Sequence, residues 1–323
     1  MRTLISEPHR IEWVEAPEPR LEAGEVLLEP LAVGVCGSDI HVFEGLHPFV
    51  GYPVFPGHEV AARVIGRGPG VDPSWEGALV ALEPSLTCGR CEACRSGHYN
   101  ICENLKVMGF QAPGAMAERF VSPTQNLHRL PGTFDAELGA MIEPLAVAVH
   151  AVALTSVQGK SVAVLGAGTI GLLVAQVAKA YGAASLEIVD LLESRREVAE
   201  TLGLSAKTPD KAKYDLIFEC VGSEKALEAA IQGIHKGGSI IVVGVYGKPA
   251  TLSAGLIQDW EIMLKGSLMY TYKDYQEAIR LFAVGQVQGK PLITHRFPLK
   301  EVKAAFAAAS QREKALKVML ARG

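Results

Sequence analysis

Apolar positions change texture along this chain near residue 160. Up to about residue 145 they fall in short alternating or apolar runs, such as EVLLEPLAVGV (25–35) and HEVAARVIG (58–66), broken by Gly and Pro. This reads as a mainly β region of short strands and functional loops. Further on, apolar runs of strand length alternate with helical ones. SVAVL (161–165) precedes TIGLLVAQVAKAY (169–181), and LEIVD (186–190) precedes ESRREVAETL (193–202). DLIFECVG (215–222) precedes EKALEAAIQGI (224–234), and SIIVVGVYG (239–247) follows. Strands without polar positions need cover on both faces, so the series predicts a doubly wound parallel sheet with right-handed crossovers. After about 268 the alternation stops. Helices are expected near 274–284 and 300–309, in a segment that rejoins the first region. The expected domains are 1–146, completed by 268–323, and 147–267.

Composition narrows the class. A chain of 323 residues, 49% hydrophobic and 20% charged, is globular rather than disordered or fibrous. The net charge of -4, without a basic tract, argues against a nucleic-acid partner. The first residues, MRTLISEPHRIEWVEAPEPR, hold no apolar run of about seven residues and no small-residue cleavage site, so no signal peptide is expected. Other apolar runs fall short of the ~20 residues of a spanning helix, and the expected compartment is the cytoplasm. In that compartment Cys36, Cys88, Cys91, Cys94, Cys102 and Cys220 are not a disulfide framework, and clustered thiols read as metal ligands.

Gly166, Gly168 and Gly171 lie in GAGTIG between an expected strand and an expected helix. The spacing alone is a weak signal. In this setting it supplies a tight turn, backbone that a pyrophosphate can approach, and a helix N-terminus with free N–H groups. Gly166, Gly168, Thr169, Ile170 and Gly171 are the expected cofactor contacts. Asp190 ends the next strand about 20 residues on, where its carboxylate can accept from ribose hydroxyls and would repel a 2′-phosphate. NAD is therefore favoured over NADP. Arg195 pulls modestly the other way, unless it lies over the adenine or faces solvent. The alternative is a Gly-rich turn serving some other ligand.

Cys88, Cys91, Cys94 and Cys102 give C-x2-C-x2-C-x7-C in a Gly- and charge-rich loop. Four thiolates can close a tetrahedron around zinc, leave no open position, and pin a loop that has little core. An iron–sulfur cluster or a redox pair is the alternative, and the spacing does not match the common ferredoxin runs.

VGVCGSDIH (33–41) and GHE (57–59) place Cys36, Ser38, Asp39, His41, His58 and Glu59 on two loops, and EPLAVAVH (143–150) leads towards the second domain. Together with the cysteine loop and the glycine turn, these motifs resemble the zinc-dependent medium-chain dehydrogenase/reductase family over essentially the whole chain. EPLAVAVHA and THRFPL (294–299) are most similar to its sorbitol, or polyol, dehydrogenase branch. The resemblance implies an α/β protein with a Rossmann dinucleotide domain and a mainly β GroES-like catalytic domain. It implies two zinc ions per chain, NAD, a small secondary alcohol as substrate, and a homotetramer or homodimer joined through the cofactor-domain sheets.

The resemblance also assigns roles. Cys36 and His58 match catalytic zinc ligands, and Glu59 or Glu143 completes the site as ligand or nearby acid. Asp39 matches an acid that orients His58. Ser38 and His41 match a proton relay, Arg296 a substrate contact and Arg195 a cofactor contact. Sorbitol dehydrogenases carry aromatic residues right after the relay histidine, whereas Val42 and Phe43 follow here, so the substrate pocket is expected to differ. The chemistry agrees with these roles, because an open-sided zinc lowers the pKa of a bound hydroxyl and a relay needs a hydroxyl plus a group titrating near neutrality.

Plainer readings stand beside these. Cys220 reads as a small buried hydrophobe. His9, His47, His98, His128 and His235 read as surface or packing residues, and His150 as a satisfied core histidine. Glu143 can cap a helix, and Arg296 can form an ordinary salt bridge. The rival enzyme is an amino-alcohol dehydrogenase of the threonine 3-dehydrogenase type. The rival outside enzymes is a non-catalytic NAD-binding sensor or scaffold that keeps only the structural zinc.

Overall fold

The computed structural model describes residues 1–322, and the chain divides into two compact units. The first comprises Met1–Glu143, Thr271–Ala283 and the chain from Gly289 onward. Its main sheet has the order Ile293–Pro298, Lys317–Ala321, Glu25–Val35, Glu59–Arg67, Leu79–Leu82, Leu127–Arg129, with Phe120–Pro123 also pairing with Glu25–Val35. Along Glu25–Val35 buried and half-buried positions alternate, then the last four residues are all buried. The end of this strand is therefore covered on both faces, next to where Cys36 follows.

Pro30 interrupts that strand without breaking it. Proline has no N–H for the ladder and is tolerated at a bulge, and the register against Glu59–Arg67 slips between Pro30 and Ala32. Beyond the slip, Val33 faces Val60 and Gly34 faces Glu59. Val26, Leu28, Val33, Val60, Val64, Val80, Leu82 and Phe306 form part of one buried core, each large side chain contributing about 1.5–3 kcal/mol when removed from water. Phe306 comes from the helix Val302–Ala309.

The second unit comprises Pro144–Tyr270 and Val284–Gln288. Its sheet is wholly parallel, in the order Ser205–Lys207, Ser185–Val189, Ser161–Leu165, Tyr214–Glu219, Ile234–Val242, Met263–Gly266. In chain order this is third, second, first, fourth, fifth, sixth, the strand order of a dinucleotide-binding doubly wound fold. The helix Thr169–Ala180 has an unbroken buried run from Gly171 to Ala178, which matches its nearly uniform apolar sequence.

Three details differ from the sequence reading. The strand expected at 239–247 runs over Ile234–Val242, because His235–Gly238 are accommodated by a register slip between Ile234 and Ser239. It stops at Val242, since the Val243 and Gly244 N–H groups both turn back to the Glu219 carbonyl at 2.8 and 3.0 Å. The short edge strands Ser205–Lys207 and Met263–Gly266 were not expected at all. The helices expected near 274–284 and 300–309 are Tyr272–Ala283 and Val302–Ala309, both in the first unit. Among the described residues, no helix is long and apolar enough to cross a membrane.

Gly34 is fixed by close approach rather than by its own conformation. A Cβ at this position would lie 2.0 Å from Glu59 Oε2. Gly34→Ala is expected to lower stability by about 1–3 kcal/mol, as overpacking of a tight core does, and urea unfolding checks this. An unchanged midpoint would show that Glu59 can vacate the slot freely.

Candidate active site

Cys36 follows the strand Glu25–Val35 and caps the helix Gly37–Phe43. The cap is made by Asp39, whose Oδ2 accepts from the Cys36 N–H at 2.9 Å. Asp39 is completely buried, and its other oxygen lies 3.5 Å from His58 Nδ1. One carboxylate thus faces both loops, bonded to one and lying beside the imidazole of the other. Burial opposes a charge on His58, but Asp39 and then Cys36 outweigh it and raise the imidazole well above its ordinary value.

Gly57 lets the second loop reach this place. Its φ is 111°, and a Cβ there would meet the Met116 amide at 2.4 Å. His58 and Glu59 then enter the strand Glu59–Arg67. One donor atom each from Cys36, His58 and Glu59 lies within 4.8 Å of the others. Thiolate, imidazole and carboxylate form a mixed S/N/O set that suits a catalytic zinc with an open position. Glu143, the other candidate, sits outside this trio in the first turn of the helix Ile142–Ala153 and is 7% exposed.

Glu59 has a partner that the sequence did not suggest. Lys317 Nζ donates to its two oxygens at 2.5 and 2.6 Å, and both side chains are buried. Burial alone would lower the Lys317 ammonium, but Glu59, Cys36 and Glu143 together raise it above its ordinary value.

Ser38 and His41 are three residues apart on the helix Gly37–Phe43, a spacing that puts two side chains on one face. Burial and then Arg312 lower the His41 imidazole, against an opposing pull from Glu44. Both influences favour the neutral imidazole, the form that can accept a proton. His47, expected as a surface or packing residue, packs on Phe110 with ring centroids 5.3 Å apart, and Phe110 packs on His58 at 4.9 Å.

The four lobe cysteines also converge, one sulfur from each lying within 4.8 Å of the rest. Cys88 and Cys94 sulfurs are 3.9 Å apart, as are those of Cys91 and Cys102. Disulfide sulfurs lie about 2.05 Å apart, whereas a tetrahedron with Zn–S of about 2.3 Å has S···S edges of about 3.8 Å. The observed spacing fits the metal. Backbone N–H groups of Arg90 and Cys91 lower the Cys88 thiol to about 6, while burial and then Cys91 push the Cys94 thiol up to about 12.

The lobe stands on a buried polar network that sequence reasoning missed. Glu83 accepts from Tyr99 Oη at 2.7 Å and pairs with His128 Nε2 at 2.7 Å. The other His128 nitrogen lies 2.9 Å from the Gln276 amide nitrogen, and the imidazole stacks on Tyr275 at 4.4 Å. His128 is thus a buried hub and not a surface residue.

In the second unit the glycine turn has the geometry a pyrophosphate needs. Gly166 has φ 97°, and Gly171 allows a close approach, since a Cβ there would lie 1.8 Å from the Gly166 carbonyl. Gly168 caps the helix that begins at Thr169 and Ile170. Asp190 accepts from the Ala167 N–H at 2.7 Å and from the Leu192 N–H at 2.8 Å, so its carboxylate is anchored at the turn. Arg195 lies over the same turn, its Nη1 3.4 Å from the Ala167 carbonyl. Glu219, also unforeseen, accepts from the Val221 and Gly222 N–H groups at 2.8 Å and from Tyr246 Oη at 2.9 Å.

Arg296 is not gathered into the Cys36–His58–Glu59 trio. Its Nε and Nη2 form a fork on Glu137 at 2.7 and 2.9 Å, and half of its side chain is exposed.

Comparison with known proteins adds the family. The description "Alcohol dehydrogenase GroES-like domain" matches residues 22–132, and "Zinc-binding dehydrogenase" matches 169–284. A 2-dehydro-3-deoxy-L-galactonate 5-dehydrogenase of Pseudoalteromonas atlantica is 34% identical, covering 93% of this chain and 92% of that protein. A sorbitol dehydrogenase of Bacillus subtilis is 32% identical, covering 94% and 92%. An Escherichia coli alcohol dehydrogenase solved with NADH superposes with a TM-score of 0.93 at 28% identity, over 99% of this chain and 98% of that one. The chain belongs to the zinc-dependent alcohol and polyol dehydrogenases of the medium-chain family. Its sugar-acid and polyol relatives leave the amino-alcohol alternative less favoured.

Replacing one lobe cysteine tests the structural metal. Cys94→Ser should lower the zinc content by one ion per chain and reduce the melting temperature, because the metal contributes folding energy directly. Activity per folded molecule should change little. Unchanged zinc content in this variant would remove the lobe from the metal-binding residues.

Proposed function

We propose that this enzyme oxidises a secondary hydroxyl of a polyol, or of a sugar-derived alcohol or acid, with NAD as hydride acceptor. The observation that carries the reading is the convergence of Cys36, His58 and Glu59, with buried Asp39 behind two of them. In this reading Cys36 and His58 hold a catalytic zinc, and Glu59 or Glu143 completes its surroundings. When bound, the zinc supplies Lewis acidity to the substrate hydroxyl, and NAD supplies the hydride acceptor.

The chain's own residues do the rest. Asp39 keeps His58 in one orientation. Ser38 Oγ takes the substrate's hydroxyl proton, and the His41 imidazole receives it on the way to solvent. Gly166, Gly168, Thr169, Ile170 and Gly171 seat the pyrophosphate. Asp190 receives the adenosine ribose and disfavours a 2′-phosphate. Arg195 lies against the cofactor. Arg296 is the least supported assignment, since Glu137 already occupies its fork. Cys88, Cys91, Cys94 and Cys102 hold a second, structural zinc.

The first unit, Met1–Glu143 with Thr271–Ala283 and the chain from Gly289 onward, serves as the catalytic domain, and Pro144–Tyr270 with Val284–Gln288 as the cofactor domain, a few residues away from the bounds expected at 146 and 268. The enzyme acts in the cytoplasm as a homodimer or homotetramer. The edge strand Met263–Gly266 supports the assembly, since all four of its residues are exposed.

A panel of polyols, sugar acids and L-threonine with NAD and NADP, run before and after chelation, tests the assignment. NAD-linked oxidation of a polyol or sugar acid is expected. Cys36→Ala or His58→Ala should reduce kcat/KM about a thousandfold or more, roughly 4 kcal/mol of transition-state stabilisation. Full turnover in either variant would eliminate the metal mechanism. Asp190→Ser should raise NADP use relative to NAD in the same assay; an unmoved ratio would mean that Asp190 does not read the ribose.

A further inference from the structure

In the second unit the strand Ser185–Val189 passes the chain to the helix Glu193–Thr201 through Asp190, Leu191 and Leu192. Leu192 is the N-cap of that helix and makes no side-chain hydrogen bond there. Ser, Thr, Asp or Asn ordinarily lock such a turn, and leucine cannot. The turn is gripped from the helix side instead. Arg196 Nη1 donates to the Asp190 carbonyl and to the Leu191 carbonyl, both at 2.9 Å. One nitrogen with two hydrogens thus spans two successive carbonyls, which holds both peptide planes of the turn.

With that grip every polar group of Asp190 has a partner. Its N–H donates to the Lys207 carbonyl at 3.1 Å, its Oδ2 accepts from the Ala167 N–H at 2.7 Å, and its Oδ1 accepts from the Leu192 N–H at 2.8 Å. Each carboxylate oxygen keeps acceptor capacity for a ribose hydroxyl, so these bonds orient the group without using it up. Arg195, next in the chain, reaches the Ala167 carbonyl of the glycine turn. The two arginines therefore differ in what they hold, and only Arg196 grips the turn that carries Asp190.

We propose that Arg196 is a positioning residue for the cofactor. It holds the Asp190–Leu192 turn so that the Asp190 carboxylate is set for the adenosine ribose before NAD arrives, and NAD affinity and discrimination against NADP both depend on it. The physical reason is preorganisation, because a turn ordered in advance spares binding the entropy of ordering it. The proposal rests on the reading that Asp190 receives that ribose. A guanidinium that met a 2′-phosphate directly would change NADP binding in the opposite direction.

The test titrates the full-length enzyme with NADH, NADPH and ADP-ribose in the absence of substrate, following NADH fluorescence and its displacement. Arg196→Met removes the guanidinium and keeps an apolar stem. It should weaken NADH and ADP-ribose about tenfold, the loss expected for a pair of charge-assisted hydrogen bonds, and leave NADPH unchanged or tighter. The KM for NAD should rise in parallel, while kcat at saturating NAD stays within about twofold because the reacting atoms have not moved. Arg196→Lys, whose ammonium can still donate to both carbonyls, should keep NADH within about threefold of wild type. In an Asp190→Ser background Arg196→Met should weaken NADH little further, since the carboxylate it positions is gone. Wild-type NADH affinity in folded Arg196→Met would overturn the proposal. So would full additivity of the two substitutions, or an NADPH affinity that falls more than that of NADH, which would make Arg196 a phosphate contact. If Arg196→Met does not fold, Arg196→Gln carries the same expectations for NADH and NADPH. An Asp190→Ser variant whose preference between NADH and NADPH has not moved would sink the ribose reading itself, whatever Arg196 does.

Discussion

The antiparallel register between Glu25–Val35 and Glu59–Arg67 is the constraint on which the candidate metal site depends. Gly34 faces Glu59 in that register. Cys36 lies two residues beyond Gly34 and His58 one residue before Glu59, so one pairing brings both loops to the same end of the sheet. A slip of one residue would turn each strand's buried set to the opposite face. The slip at Pro30 is part of this alignment, since it sets the phase in which the last four residues of the first strand are buried. Asp39 then converts proximity into orientation by facing Cys36 and His58 with one carboxylate.

What was legible in the sequence follows how local each feature is. The glycine turn is contiguous, and the lobe cysteines lie in one short loop. Each motif is local, so its setting in the sequence (a strand before and a helix after the glycines, a Gly-rich loop around the cysteines) completes the reading. The doubly wound sheet was readable for a related reason, since strands buried on both faces lose their polar positions. The pairs that were missed are distant along the chain. Lys317 and Glu59 are 258 residues apart, His128 and Gln276 are 148 apart, and Glu83 and His128 are 45 apart. Nothing in a lone Lys at the head of ALKVMLA says which acid will neutralise it. The short edge strands were missed because three or four residues carry too little pattern, and the early start of Ile234–Val242 because GlyGly inside a strand reads as a turn until the register slip is seen.

The Glu83 network bears on why the cysteine lobe is more than a loop with a metal. Tyr99 lies between the third and fourth lobe cysteines and reaches down to Glu83, while its oxygen also accepts from the Tyr272 N–H at the start of the helix Tyr272–Ala283. Tyr275 of that helix donates to the Leu82 carbonyl at 2.7 Å, and Asn126 donates to the Glu83 and Ser85 carbonyls at 2.8 Å. Glu83 is therefore where lobe, sheet and helix are joined by hydrogen bonds instead of apolar contact. A buried carboxylate of this kind is tolerated only when each oxygen is satisfied, and here Tyr99 and His128 satisfy one each. A metal held by the four cysteines would order the loop from within, and this network ties the loop to the rest of the unit.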